Sequence, residues 1–553
     1  MVESGNRTGE DRNVNGVARM TRRKAYRIGG AAAVATATAA GLPVQAPVAG
    51  AANPATVSGA QNLGVNEAFK AMAFGNGSGA GWTRWTVQWF NVQRDPDEFN
   101  TFYFTGSDGA NILDAQVAAG MKVAAMVLGT PEWAAETPGL KPGTSVPRGL
   151  YEPVFIDDEP NPANTWGAFM YQLAKQYAGA MDVFEIWNEV EIPATGSNAV
   201  YNTWAGTVGD YYQLLAVASE AAKRANPVAR IVTSPYSYFK DKEAAGGESL
   251  PWFDEFASVV KAKGADVFDV VALNLYRNPH DLWDRYHGGV DLAAEPADRT
   301  GFRARLEAMG AGTKPIWLTE INAMAYDDIV PGWDPKARED GFRITMAEQA
   351  DYVLQAHALA FAAGYDKVFF QALQDDPYPV PDELWGLVRF HPDMLNADVS
   401  RARPAYAAYQ VVGRHVAGAQ RSELHIKKRP DPKKNAQYAS RYEWAQHLAV
   451  FHKGDARASV VWNGTDVAAS VALKAAGTSA VLVDGVGNET PLTPNGEGRL
   501  VVELPPASRH FDLFGGDPPG YFYIGGATFV IVEKGVPGDS PVDAPGFARQ
   551  EGK

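Results

Sequence analysis

The sequence predicts an α/β fold, a (β/α)8 TIM barrel followed by a C-terminal antiparallel β-sandwich, and three observations carry that expectation. Short apolar runs alternate with stretches of helical periodicity from Asn62 to about Phe370, the mark of repeated β/α units. Eight such runs can be counted, the number that closes a barrel. After Trp385 the texture changes to short β-rich runs parted by Gly, Pro, Asn and Asp turns.

The barrel strands are expected at Asn62 to Phe69, Trp82 to Phe90, Lys122 to Gly129, Val183 to Trp187, Arg230 to Ser234, Val270 to Tyr276, Ile316 to Glu320 and Lys367 to Leu373. Between them, Trp166, Phe169, Met170, Leu173 and Tyr177 follow the i, i+3, i+4, i+7 rule of an amphipathic helix. Tyr211, Leu214, Leu215 and Ala218 repeat it, as do Phe253, Phe256 and Val260, then Phe302, Leu306 and Met309, then Val353, Ala356, His357 and Ala360. A doubly wound sheet is the alternative, but it usually carries a phosphate loop after its first strand. Gly75 to Gly81 lacks the GxGxxG or GxxxxGK spacing, so it reads as a flexible loop ending a short or irregular first helix. Arg403 to Tyr409 reads as a last helix packing under the barrel. The sandwich strands are expected at His447 to Phe451, Ala458 to Trp462, Ser470 to Leu473, Ala480 to Val483, Arg499 to Leu504 and Tyr521 to Val532.

At 553 residues the chain is too long for one core, so the expected division is a barrel over 62–415 and a sandwich over 420–534. Residues 1–51 read as a targeting segment. Arg22, Arg23, Lys24 and Arg27 precede an Ala-rich stretch, Ala49-Gly50-Ala51 offers a cleavage site, and the paired arginines suggest the twin-arginine route. Residues 52–61 are then a linker, and the Pro/Gly/Asp-rich stretch 535–553 is expected to be disordered. The protein is expected to be secreted, periplasmic or on the cell surface, with no membrane attachment after cleavage. A net charge of -14 argues against nucleic acid or an anionic membrane as partner. The absence of cysteine removes disulfides, thiolate metal sites and cysteine nucleophiles together. With no clustered ligand motif, neither a metal nor another cofactor is expected.

Catalytic groups of a β/α barrel stand at C-terminal strand ends, because only that face gathers loops around one pocket. Two acids occupy such places after strongly apolar approaches: Glu189, closing Val183-Phe184-Glu185-Ile186-Trp187-Asn188-Glu189, and Glu320, closing Pro315-Ile316-Trp317-Leu318-Thr319-Glu320. Cleavage of a glycosidic bond asks for a proton on the leaving oxygen and a group to meet an oxocarbenium-like carbon, and two carboxyls supply both. If they stand about 5–5.5 Å apart, the second attacks directly and configuration is retained.

These residues resemble clan A of the glycoside hydrolases, in which an Asn-Glu dyad ends strand four and a nucleophilic Glu ends strand seven. The resemblance covers the whole barrel. It implies that Glu189 is the acid/base and Glu320 the nucleophile. It also implies that Arg84 on strand two lies near that nucleophile, that Tyr276 on strand six hydrogen-bonds it, and that Asn188 holds the sugar 2-hydroxyl. The Trp-Asn-Glu context and trailing sandwich look most like family 39, which includes β-xylosidases, iduronidases and bacterial exopolysaccharide hydrolases, with families 5 and 30 as alternatives. Strand eight ends in Phe369-Phe370-Gln371-Ala372-Leu373, where many clan members place a tryptophan under the sugar, and Trp385 is the candidate replacement.

Other aromatics on barrel-top loops are Trp89, Trp133, Tyr236, Trp283, Tyr326 and Trp333, of which Trp133 in Thr130-Pro131-Glu132-Trp133 is the best candidate sugar platform. Most aromatics are packing residues, so each of the others is weighted toward packing. Glu185 is expected to face the lumen or a structural partner, Glu191 to be a rim charge, and His280 and His287 to be surface groups within possible reach of the pocket. The function so read is hydrolysis of a β-linked glycan by double displacement. Its rivals are a transglycosylase with the same residues and a non-catalytic carbohydrate-binding surface protein.

Overall fold

The computed structural model describes residues 59–106, 111–192, 194, 203–237, 250–276, 279–288, 300–328, 330, 343–377, 384–428, 445–465, 467–512, 520–538 and 540–551. The targeting segment, most of the linker and Trp333 lie outside them, as does the side chain of His280.

Eight parallel strands occur where the apolar runs predict them: β1 Ala60–Asn66, β2 Ala80–Gln88, β3 Lys122–Leu128, β4 Val183–Ile186, β5 Arg230–Val232, β6 Val271–Asn274, β7 Ile316–Ile321 and β8 Lys367–Phe370. Their order is β5-β4-β3-β2-β1-β8-β7-β6. Parallel bridges Val232 to Val270 and Tyr236 to Leu273 join the two ends, so the sheet closes into a barrel.

The principal helices are α1 Met72–Gly77, α2 Ile112–Ala118, α3 Thr165–Gln176, α4 Val208–Ala225, α5 Pro251–Lys263, α6 Pro279–His287, α7 Phe302–Ala308, α8 Met346–Ala363 and α9 Pro404–Val411. Both long helices α4 and α8 begin in capping boxes, Thr207 with Asp210 and Thr345 with Glu348. α1 is one and a half turns long, as the glycines foretold, but the stretch that follows is not a free loop. Gly75 and Gly77 are buried, Ser78 Oγ donates to the Gly75 carbonyl at 2.7 Å, and Gln410 of α9 donates to the Gly77 carbonyl at 2.8 Å. A side chain on Gly75 would meet the Ala68 carbonyl at 2.9 Å. These glycines serve close packing, which corrects the expectation of a flexible segment.

The barrel floor is one layer of apolar side chains, Trp82, Ala124, Val183, Val232, Val270, Ala272, Trp317 and Phe369. Because strand side chains alternate, the residues two positions along from Trp82 and Val183 re-enter the lumen one layer higher. Those residues are Arg84 and Glu185.

The second domain contains β9 Arg421–Lys428, β10 Ala445–Lys453, β11 Ala456–Asn463, β12 Ala469–Lys474, β13 Ser479–Val483, β14 Glu489–Pro491, β15 Arg499–Leu504, β16 Ser508–Asp512, β17 Gly520–Ile524, β18 Phe529–Lys534 and β19 Ala548–Arg549. The run Tyr521 to Val532 is therefore two strands, parted by Gly525 and Gly526. A seven-stranded antiparallel sheet, ordered β14-β13-β18-β11-β10-β9-β19, faces the β12–β15 pair. Along β10, Leu448 and Val450 point into the sandwich core, while Ala449 and Phe451 join the core shared with the barrel. Burial on both faces explains why that strand is apolar without alternation. Gln355 and Asp351 of α8 bind the Gly525–Thr528 turn, the Thr528 amide donating to Asp351 at 2.7 Å.

The stretch from Gly535 is ordered over its described residues, contrary to expectation. β19 pairs antiparallel with His425 and Ile426 of β9, and the Gln550 amide donates to the Leu424 carbonyl at 2.7 Å. Backbone hydrogen bonding to an open sheet edge makes little demand on composition, so a Pro/Gly/Asp-rich segment can still be held in place.

Candidate active site

Glu320 reaches the lumen through an irregularity in β7. Opposite β8, the partners of Val368 and Phe370 are Leu318 and Ile321; opposite β6, the partners of Leu273 and Asn274 are Leu318 and Glu320. β7 therefore carries one residue more than either neighbour across Thr319. Strict alternation from Trp317 would turn Glu320 outward, and the inserted residue turns it in. The bulged carbonyl of Thr319 is satisfied by Asn66 Nδ2 at 3.0 Å.

Glu189 is aimed differently. After Ile186 the chain adopts positive φ at Trp187 (72°) and again at Glu189 (45°). Such conformations are costly for side chains with a Cβ and persist only where the surroundings enforce them. Here the Trp187 ring does so. It is fully buried, its indole N–H donates to Thr203, and it packs edge-on against Trp204 at 4.9 Å. The turn sends Asn188 and Glu189 to different partners: Asn188 Oδ1 accepts from Arg84 at 3.1 Å, and Glu189 Oε1 accepts from Asn274 Nδ2 at 3.0 Å.

Arg84 is the hub. Its Nη1 donates to Glu320 Oε1 at 2.7 Å, and its Nε donates to Glu185 Oε1 at 2.9 Å. Tyr276 donates to the other oxygen of Glu320. Both oxygens of Glu320 are thus held from two strands. Thr319 Oγ1 donates to Asn274 Oδ1 at 3.0 Å, which fixes the Asn274 amide so that its NH2 faces Glu189. The ring of Trp385 lies 5.1 Å from that of Tyr276, and its backbone carbonyl accepts from Asn322 Nδ2 at 2.6 Å.

Burial alone would lower the Arg84 pKa, but the carboxyls of Glu185 and Glu320 raise it well above its ordinary value. Burial pushes Glu185 up to about 7, with the Glu320 charge adding to the rise and Arg84 opposing it. One guanidinium between two carboxyls leaves a proton to spare near neutrality. Replacing Arg84 by methionine should therefore destabilise the fold by about 3–5 kcal/mol at pH 8, the cost of stranding buried charge. The loss should shrink at pH 5. A carboxyl whose folded pKa is raised loses stability as pH climbs from its unfolded value through the folded one. Thermal melts of both proteins at the two pH values check this, and an equal loss at both would contradict it.

Of the residues singled out from sequence, Arg84, Asn188, Glu189, Tyr276, Glu320 and Trp385 are brought into one hydrogen-bonded and ring-packed group. Trp133 is not in that group: its indole N–H is taken by the Gln93 carbonyl at 3.1 Å and its ring packs edge-on against Trp89. Trp89, Tyr236 and Trp283 are buried packing residues, and Tyr326 is half-buried. Trp283 and His287 line a polar cavity of about 430 Å³ against Glu423 and Arg549 of the sandwich domain, away from the Arg84 cluster. Glu191 is a correction. It is buried, not a rim charge, because the chain after β5 folds over it and the Ser237 amide and hydroxyl donate to Oε1 at 2.7 and 2.6 Å. Asn66, Asn274 and Thr319 were missed, although polar residues at the C-terminal ends of apolar strands were the available signal. Among the described residues no group of three His, Asp or Glu side chains is placed to hold a metal ion, and no helix is long and apolar enough to cross a membrane.

No protein-family model matches the chain, and no curated protein matches it. Solved structures do resemble it. A family 39 glycoside hydrolase from Bacteroides cellulosilyticus superposes with a TM-score of 0.53 at 16% identity, covering 86% of this chain and 81% of that one. A family 39 β-xylosidase from Caulobacter crescentus gives 0.49 at 14% identity, covering 89% and 98%. A family 30 subfamily 8 xylanase from Clostridium acetobutylicum gives 0.48 at 10% identity, covering 86% and 96%. The first of these, at 16% identity, supports the fold alone, a (β/α)8 barrel with a C-terminal β-sandwich.

Proposed function

We propose that the protein is an exported retaining glycoside hydrolase that cleaves β-glycosidic bonds of an oligosaccharide or polysaccharide by double displacement. One observation carries this reading: Glu320 is gripped on one oxygen by Arg84 and on the other by Tyr276, while Glu189, just beyond the end of β4, accepts on Oε1 from the Asn274 amide. A guanidinium and a phenol on the same carboxyl fix its direction, as a nucleophile needs. The Asn274 amide that meets Glu189 is a neutral donor, which suits a group that must carry and give up a proton.

In the proposed cycle Glu320 attacks the anomeric carbon as Glu189 protonates the leaving oxygen. Glu189 then takes a proton from water, whose oxygen displaces Glu320 and restores it. In this reading Asn188, whose Oδ1 accepts from Arg84, binds the hydroxyl next to the reacting carbon, and Trp385 beside Tyr276 supplies an aromatic face for the sugar ring. No step calls for a cofactor.

The reading is tested with a panel of aryl β-glycosides and β-linked polysaccharides, following the anomeric proton of the first-formed product by NMR. Hydrolysis with the β-product appearing first is expected. Initial release of the α-anomer would refute retention, and binding without turnover across the panel would favour a carbohydrate-binding protein. Added acceptor sugars separate hydrolysis from transglycosylation by their products.

A further inference from the structure

Strand β8 runs into a polar side chain that the proposed cycle leaves idle. Phe369 lies in the apolar floor with its ring 6.0 Å from that of Trp317, while Phe370 turns outward onto His357 and Tyr409. The Gln371 amide donates to the Ile321 carbonyl at 3.2 Å, so pairing with β7 continues through it and its side chain returns to the lumen. β1 obeys the same alternation. A side chain on Gly64 would meet the Phe369 ring at 2.3 Å, which puts Gly64 at the floor and Asn66 one layer higher. Gln371 therefore shares a layer with Asn66, Arg84, Glu185 and Glu320, beside the strand that carries Glu320. Those four are buried, and Gln371 is half-buried.

Hydrogen bonding fixes which end of the Gln371 amide meets Asn66. One Asn66 atom contacts the Thr319 carbonyl at 3.0 Å and the Gln371 side chain at 2.6 Å. A carbonyl can only accept, so that Asn66 atom is its nitrogen and the Gln371 atom facing it is the oxygen. The NH2 of Gln371 is thus turned away from Asn66, and no hydrogen bond among the described residues engages it.

We propose that Gln371 is a substrate-contacting, specificity-determining residue whose NH2 donates to an oxygen on the C4–C5 edge of the sugar bound over Glu320. This rests on the reading of the site as that of a retaining glycoside hydrolase.

The edge follows from the closure of the barrel. β8 is separated from β4 by the same number of strands in either direction, so the two face each other across the lumen. In the proposed cycle Asn188, just after β4, binds the hydroxyl on C2. The atom opposite C2 in a pyranose ring is C5, with C4 beside it, so that edge turns toward β8. An amide whose oxygen is already committed to Asn66 can only donate, and it asks the sugar for an acceptor. Gln371 therefore favours a sugar with oxygen at C4 or on its C5 substituent over one that is bare there. An aromatic ring in its place would cover the sugar without asking for that oxygen.

The test is a cycle over enzyme and substrate with full-length Gln371→Met, which keeps the reach of the side chain and lacks the donor. The probe is the aryl β-glycoside that the wild-type protein turns over fastest in the panel, with its 2-deoxy and 4-deoxy forms. For a hexose or uronic acid the form lacking oxygen at C6 is added. The variant should lose about 3–10-fold in kcat/KM on the parent and on the 2-deoxy form, the worth of one neutral hydrogen bond. On the 4-deoxy form, or on the one lacking oxygen at C6, the loss should vanish, because the oxygen that Gln371 serves is gone. An equal loss on every form, no loss on any, or a loss that vanishes only with the 2-hydroxyl would overturn the inference. Uniform changes, such as a shift of Asn66 or a smaller folded fraction, cancel in the comparison. Should Gln371→Met not fold, Gln371→Asn withdraws the NH2 by one carbon and is read by the same outcomes. Failure of the underlying reading looks different. A wild-type protein inert on the whole panel would refute the glycosidase assignment and this inference with it, whereas an active enzyme with a flat deoxy series would refute Gln371 alone.

Discussion

Replacing Glu320 by glycine is expected to reduce turnover to assay background, and azide is expected to restore product formation with inverted configuration. The geometry gives the reason. Arg84 and Tyr276 hold the carboxylate by its two oxygens. Removing the side chain leaves a space on the face from which the carbon is attacked. A small anion entering it makes the first displacement while Glu189 still protonates the leaving group, but the product carries no ester for water to displace. The second inversion is lost, so a β-glycoside gives an α-glycosyl azide. Glu320→Gln keeps the shape without the nucleophilicity and should be equally silent. Wild-type-like hydrolysis by either variant would remove Glu320 from the mechanism.

For Glu189 the expected effect depends on the leaving group. In Glu189→Ala, kcat/KM on a phenyl glycoside should fall by about 10²–10⁴, the usual worth of a positioned proton donor. A dinitrophenyl glycoside, whose leaving group departs as a stable anion, should keep a nearly normal first step and then accumulate the glycosyl-enzyme, because water lacks its base. Azide bypasses that base and should release a β-azide, the opposite anomer from the one Glu320→Gly yields. Comparing two substrates and two azide products separates the roles of the carboxyls without knowledge of the natural sugar. A loss of equal size on both substrates would assign Glu189 to binding instead.

Much of this arrangement is legible in the sequence. The eight barrel strands follow from apolar runs because a buried parallel strand needs an unbroken one. The two glutamates are marked by their positions at strand ends, and Arg84 and Tyr276 by the resemblance to clan A. What could not be read was direction. Glu320 enters the lumen only because β7 carries an extra residue across Thr319, and a bulge has no compositional mark. Glu189 is aimed by left-handed backbone at Trp187, a residue type that gives no warning of that conformation. Glu191 looked like a rim charge because its burial comes from a segment more than forty residues away in sequence, near Ser237. Trp133 looked like a platform because its engagement with Gln93 is likewise non-local.

The strand at the end of the chain has a meaning beyond local order. β19 lies on β9, which would otherwise present an open row of amides and carbonyls at the sheet margin. Among the described residues the strip holds this margin through the pairs at His425 and Ile426 and the Gln550 amide on Leu424, so the seal is short. If proteolysis or a shortened C-terminus removed it, the vacated place would be one that the same strip of a second molecule fits equally well. Strand exchange between copies, and with it reciprocal dimers or open-ended association, is the hazard that those last residues keep in check.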